Sequence, residues 1–314
     1  MAGGEKAKQS GEYGEAIVKT LLNLFGWQQA LNNITISCQK PEQHAIKEGK
    51  RRQKHGIDYV YRYKSPLRNE TKQEVLISVK CRDGYPATDS NAKKQFKEFL
   101  IDIAHAAECY PSCETAKLKM PGTTKKICSL LVFWLDRNQG DNREYESVID
   151  KVAGFNLREY CNYDTVSLID NNRAQFLYEA ITYAHSKYSA ENVEFFYINT
   201  GLNNANLNRQ YFGSILPYEY LNANVIPMAI SKDDQKTLLL VVKDDFCEEY
   251  LKRLIALAQD LTSNWVANTV IAFPNYHSIS HDDVVRNAKL CFEDVKFIEK
   301  VTIDTYHPDF RDGV

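Results

Sequence analysis

Gly56-Ile57-Asp58-Tyr59-Val60-Tyr61-Arg62-Tyr63 and Glu74-Val75-Leu76-Ile77-Ser78-Val79-Lys80-Cys81 are two strand-length runs, separated by the turn residues Ser65-Pro66 and Arg68-Asn69. Side chains alternate across a strand. In the first run Ile57, Tyr59, Tyr61 and Tyr63 share one face, and Asp58, Val60 and Arg62 the other. In the second, Val75, Ile77 and Val79 share a face opposite Leu76, Ser78 and Lys80. Working outward, Leu31 to Cys38 predicts an earlier strand, stopped by Pro41. Before it, Tyr13, Ile17, Leu21, Leu24 and Phe25 recur at helical spacing after Ser10-Gly11 and before Gly26. Beyond Lys80, Phe96, Phe99, Leu100, Ile103, Ala107 and Tyr110 form the stripe of a helix over about 92–110. The unbroken apolar run Ile127 to Leu135 predicts a strand covered on both faces. The predicted order is αβββαβ.

Residues 137–164 are mixed and polar and predict a linker with one helix at most. From 165 to 314 a second alternation follows. Strands are predicted at Val166–Ile169, Val193–Asn199, Val225–Ile230, Thr237–Val242, Asn268–Phe273 and Val295–Ile303. Helices are predicted at Arg173–Lys187, Phe246–Leu261 and Asp282–Cys291. The fold class is therefore α/β, with an N-terminal αβββαβ domain over 1–136 and a second α/β domain over 165–314. There is no internal repeat.

The net charge of −2 conceals an asymmetry: residues 1–126 carry 22 Lys/Arg against 14 Asp/Glu, the remainder 17 against 27. A basic half suits a polyanion such as nucleic acid, and an acidic half does not. No run approaches the ~18 apolar residues of a membrane span. The opening Met1-Ala2-Gly3-Gly4-Glu5-Lys6 has no apolar signal core, so a cytoplasmic protein is expected. Of the eight cysteines, Cys38, Cys81, Cys128 and Cys291 fall in or beside apolar segments and read as small hydrophobes. Cys109 and Cys113 form a C-x3-C pair with no second Cys/His pair at zinc-ligand spacing. His277 and His281 read as two surface histidines.

Three elements of the basic half each present an ionisable group. Glu15 borders the apolar side of the first helix, in line with Val18 and Leu22, whereas Glu12 lies on a more solvated line. Asp58 follows Gly56, where a ligand or another backbone can approach. Lys80 closes its strand. Paired carboxylates facing a lysine suit phosphodiester hydrolysis. Mg2+ takes hard oxygen ligands, commonly one or two protein carboxylates, and a nearby ammonium can orient a water or stabilise charge. Lys50, Arg51, Arg52 and Lys54, just before Asp58, and Lys93, Lys94 and Lys97 on the second helix supply a candidate nucleic-acid surface. The abundant tyrosines alternate with charged residues and read as half-buried packing groups.

Gly11-Glu12-Tyr13-Gly14-Glu15 resembles the G-x-x-G-E opening of many PD-(D/E)XK nucleases. Gly56-Ile57-Asp58 resembles their G-[IV]-D strand, and Val75 to Lys80 the strand that ends in (D/E)-x-K. The element order is similar to that superfamily's core. The resemblance covers about residues 10–135 and implies a restriction-endonuclease-like fold, Glu15, Asp58, Ser78 and Lys80 as catalytic positions, and Mg2+ with Mn2+ as substitute. It departs at Ser78, where the second acid is expected; Glu98, Asp102 or Glu15 could replace it. More narrowly, Ile77–Lys80, Asp83-Gly84-Tyr85-Pro86, Leu168-Ile169-Asp170-Asn171 and Phe195-Phe196-Tyr197 resemble the nuclease subunit of a two-gene bacterial anti-phage system. That resemblance implies phage or plasmid DNA as target, a partner subunit encoded by a neighbouring gene, and a homo- or hetero-oligomer. Two other readings stay open: a nucleic-acid-binding module that lost catalysis with the second acid, and an assembly subunit whose acidic half does the main work.

Overall fold

In a computed structural model of the chain, residues 2–45, 50–137, 147–155, 165–203, 209–262 and 266–307 are described. The chain divides into two compact units, Met1–Gln175 and Phe176–Val314. The first opens with α1 (Ala2–Leu24), then β1 (Leu31–Ser37), β2 (Lys54–Lys64), β3 (Thr71–Arg82), α2 (Asp89–Cys109), a short α3 (Glu114–Lys117), β4 (Lys125–Asp136), a short α4 (Ile149–Val152) and β5 (Val166–Ile169). The sheet runs β1-β2-β3-β4-β5. Its first three strands are antiparallel, and β4 and β5 join parallel. The αβββαβ order is present. The strand Val166–Ile169, expected to open the second domain, is instead the fifth strand of this sheet, with Leu130 opposite Val166. A four-residue apolar strand carries no signal of which sheet it joins.

Both faces of the sheet are covered, because β3 and β4 are apolar on both. Leu130, Leu131, Val132, Phe133 and Trp134 are all fully buried. On one face Val60, Leu76, Val132 and Trp134 pack with Phe96, Phe99, Leu100 and Ile103 of α2. On the other, α1 lies over β3. Its end is set by Gly26, whose φ of 74° lets Trp27 N–H reach back to Leu22 O at 2.8 Å. Trp27 thereby stacks on Tyr61 at 4.9 Å, and Tyr59, Tyr61 and Tyr63 are buried as packing residues. α1 begins earlier than the sequence suggests, so Gly11 and Gly14 lie inside it.

Gly14 sits where α1 comes closest to β3. A Cβ there would stand 2.7 Å from Cys81 Cβ and 3.3 Å from Val79 Cγ1, whereas a Cβ on Gly11 would meet nothing within 4 Å. Helix propensity favours Ala over Gly by ~1 kcal/mol, but overpacking costs ~1–3 kcal/mol. Gly14→Ala is therefore expected to lower the unfolding midpoint and Gly11→Ala to leave it level or raise it, as measured by thermal denaturation. A raised midpoint for Gly14→Ala would show that α1 and β3 are not in such close approach.

Two motifs of the narrower resemblance meet at the far end of this sheet. Tyr85 Oη lies 2.9 Å from the Trp134 carbonyl and 3.0 Å from Asn171 Oδ1, and accepts from Asn171 N–H. Asp170, fully buried, accepts from Ser147 Oγ and from the N–H groups of Val148, Ile149 and Arg173. It so caps the starts of both α4 and the following helix, α5 (Asn171–Tyr188).

In the second unit come β6 (Val193–Phe196), β7 (Phe212–Gly213), β8 (Val225–Lys232), β9 (Gln235–Val242), α6 (Glu248–Thr262), β10 (Asn268–Phe273), α7 (Ser278–Leu290), α8 (Val295–Ile298) and β11 (Val301–Thr305). Its sheet is ordered β11-β10-β9-β8-β6-β7. β9, β10 and β11 are parallel, the remainder antiparallel. This is the expected second α/β structure. The segment 295–303, expected as one strand, begins with a helical turn, because the Asp294 side chain accepts from Phe297 N–H at 3.1 Å and caps it. Among the described residues no helix is long and apolar enough to cross a membrane. Most of the linker, and Lys47 of the basic connection, lie outside the described residues.

Candidate active site

Asp58 sits at a break in the sheet. The β2–β3 ladder starts at Tyr59 opposite Ile77, so Asp58 stands beside Ser78 just where the strands part. On the other side, the β1 register places Asn33, with left-handed backbone at φ 50°, opposite it. The Asp58 side chain fills the missing rung: Oδ2 accepts from Val79 N–H at 2.6 Å. No described residue bonds Oδ1, and Asp58 does not pair with Arg62, whose guanidinium reaches the Thr115 carbonyl.

Glu15 reaches this break from α1. Burial, then the charge of Asp58, then that of Glu12 raise its carboxyl above the usual range. Two carboxylates that repel, neither with a cationic partner among the described residues, form an arrangement stabilised by a cation. Both supply hard oxygen donors, so the residues fit a divalent ion of the magnesium class. The backbone carbonyl of Glu15 accepts from Tyr59 Oη at 3.2 Å, which ties this turn of α1 to β2.

Lys80 ends β3 on the Ser78 face, with its ammonium 5.8 Å from the Phe99 ring centre and 3.7 Å from Asp102 Oδ2. Asp102 is held more closely by Arg52, at 2.6 Å. These groups line an open cleft of about 690 Å3 together with Arg82, Glu98 and His105. The structure thus brings the sequence-predicted residues together in two neighbouring sets: Glu15 with Asp58, and Lys80 with Glu98, Asp102 and Arg52. The strand bond from Asp58 to Val79, next to Lys80, joins them. Ser78 is buried and supplies a hydroxyl where an acid was expected.

The basic residues separate. Lys50, Arg51 and Lys54 are exposed, and Arg51 pairs with Glu42 at 2.5 Å. Arg52 turns inward to Asp102 and is a cleft residue as much as a surface one. On α2, Lys94 is exposed and Lys93 and Lys97 are half-buried. Sequence reasoning did not find Arg82 or the Arg52–Asp102 pair, since a contact spanning 50 residues leaves no local pattern. His277 and His281 serve structure: His281 Nδ1 accepts from His277 N–H and its ring stacks on Phe246 at 4.5 Å.

A family model described as the GAPS4 protein PD-(D/E)XK nuclease domain matches residues 1–173. The match ends two residues from the boundary of the first compact unit. Comparisons with curated proteins and with solved structures give no match.

Proposed function

The chain belongs to the GAPS4 PD-(D/E)XK nuclease family, and from that premise we propose that it is a Mg2+-dependent endonuclease cutting DNA within a defence complex. The observation that carries the reading is the Glu15–Asp58 carboxylate couple, without a cationic partner among the described residues, beside the end of the strand that bears Lys80. In this proposal Asp58 and Glu15 hold the ion, with Glu98 as the alternative second acid. When bound, the ion would neutralise charge developing on the phosphate and acidify a water. The Val79 amide fixes the Asp58 carboxylate, and the close approach at Gly14 sets the depth of Glu15. Lys80 orients the attacking water and stabilises the added negative charge. Arg52 takes the shorter bond to Asp102, at 2.6 Å against 3.7 Å for Lys80, so Asp102 neutralises the Lys80 ammonium only in part.

Supercoiled plasmid incubated with the pure chain, with its neighbouring gene's product, and with Mg2+, Mn2+ or chelator, tests the reading. Metal-dependent nicking is expected, and RNA of matched sequence is expected to survive longer. The buried Ser78 favours one rival, a binding module without catalysis. Binding without cutting under every condition would select that rival.

Lys50, Arg51 and Lys54, with Lys93, Lys94 and Lys97, are proposed to carry the DNA backbone. Reversing Lys50, Arg51 and Lys54 to Glu is expected to weaken binding and flatten its salt dependence by about one unit of log–log slope per lost phosphate contact. Arg52 is left intact in this variant because its loss would disturb the cleft. An unchanged slope, measured by fluorescence anisotropy over a salt series, would remove this segment from the interface.

A further inference from the structure

Away from the carboxylates, the first unit gathers four soft donors from four places in the chain. Cys38 follows β1, His44 lies in the connection after it, His55 is the second residue of β2 and Cys109 closes α2. Their ligand atoms all lie within 4.8 Å of one another. His44 Nδ1 is 3.4 Å from Cys38 Sγ, 3.5 Å from Cys109 Sγ and 3.3 Å from His55 Nε2. Tetrahedral zinc, with Zn–S of about 2.3 Å and Zn–N of about 2.0–2.1 Å, has S–N edges of about 3.5 Å and N–N edges of about 3.3 Å. The three distances from His44 Nδ1 match those edges, and the remaining donor pairs lie within 4.8 Å, close enough to draw in around one ion.

The surrounding groups orient the donors in the same sense. His44 Nε2 meets Glu108 Oε2 at 3.2 Å, and Glu108 is held by Lys40 at 2.7 Å. A carboxylate on Nε2 keeps the proton there and turns the lone pair of Nδ1 toward the cluster, the usual support for a metal-bound imidazole. Gln39 N–H donates to Cys109 Sγ at 3.3 Å and fixes the position of that sulfur. His44, His55 and Cys109 are at most 2 % exposed. Two thiols and two imidazoles packed so tightly gain little from one another, whereas a soft-to-borderline cation would engage all four.

We propose that Cys38, His44, His55 and Cys109 bind a structural zinc ion, distinct from the Glu15–Asp58 site. Four protein donors close the tetrahedron and leave no open position for a water, the mark of a structural site rather than a catalytic one. The ion clamps the β1–β2 connection onto the end of α2. That connection also carries Lys50, Arg51 and Arg52, so the clamp sets where the basic segment stands beside the Lys80 cleft. Cys113, which forms a C-x3-C pair with Cys109 in the sequence, is outside the cluster.

The test uses the full chain purified without chelator. Elemental mass spectrometry is expected to find roughly one zinc per chain. Exchange with Co2+ is expected to give thiolate-to-cobalt charge-transfer absorption and tetrahedral d–d bands. Cys38→Ser and Cys109→Ser should lose both the zinc and the charge-transfer band, while Cys113→Ser and Asp58→Asn keep them. Should the serine variants fail to fold, the cobalt spectrum of the unmutated chain still decides. A chain that holds no zinc and shows no thiolate–cobalt band overturns the proposal, as does a Cys38–Cys109 disulfide in freshly isolated protein. Zinc-free protein that still cuts DNA would sink this site and leave the nuclease reading standing.

Discussion

Lys80→Ala is expected to slow DNA cleavage by ~10²–10⁴ while folding and DNA affinity stay close to those of the unmutated chain. The ammonium of Lys80 stands 3.7 Å from Asp102, which keeps its shorter bond to Arg52, so removal leaves no buried charge unpaired. Its aliphatic stem packs at the cleft surface, not among the fully buried residues of the sheet. The group lost is therefore a positioned cation in the cleft and little else. Single-turnover cleavage rates, with anisotropy for binding and thermal unfolding for stability, separate the three effects. Cleavage by the variant at near the unmutated rate would sink the assignment of the site.

The carboxylates should show the other large effect. Asp58→Asn keeps an oxygen to accept from Val79 N–H, so the strand junction survives, but it removes charge that a hard cation requires. Metal-dependent cutting is expected to fall by ~10²-fold or more, with weaker Mn2+ binding by calorimetry. If Glu15 is the second acid, Glu15→Gln behaves alike and Glu98→Gln and Ser78→Ala cost little. If Glu98 is, the order reverses. Acid–base behaviour gives an independent reading. The folded state raises the Glu15 carboxyl, so the native chain holds that proton to higher pH than the unfolded one. Without metal, stability is then lost as pH rises from the ordinary carboxylate range through the raised value, because the native state must ionise Glu15 beside Asp58. Asp58→Asn removes one cause and should shrink that loss, and Mn2+ should offset it. Metal-free unfolding midpoints that do not change across this interval would show that the two carboxylates are not coupled.

What the sequence made legible was whatever repeats locally. The alternation at 56–63 and 74–81 located β2 and β3, and the run 127–135 marked β4 as a strand buried on both sides. The motif residues could be placed because each stands at a fixed offset in one of those elements. The second acid could not be chosen, because Glu15 and Glu98 arrive from helices on different sides of the sheet. The close approach at Gly14 and the Tyr59 bond to the Glu15 carbonyl hold this turn of α1 where Glu15 feels the charge of Asp58. Arg52 read as surface charge because nothing near it in sequence announces Asp102. The sulfur and imidazole donors were missed for the same reason: Cys38 and Cys109 stand 71 positions apart, and the apparent pair with Cys113 was a coincidence of spacing.

The bond between Asp58 and Val79 makes one backbone proton a witness to events at the carboxylate. In an ordinary ladder the acceptor of an amide is another peptide, indifferent to pH and to ions. Here the acceptor is the acid itself, so any proton or cation sharing that oxygen pair draws electron density from the Val79 hydrogen bond. The resonance position and exchange rate of a single amide, labelled with nitrogen-15 in valine, therefore follow occupancy at Asp58 without substrate or turnover.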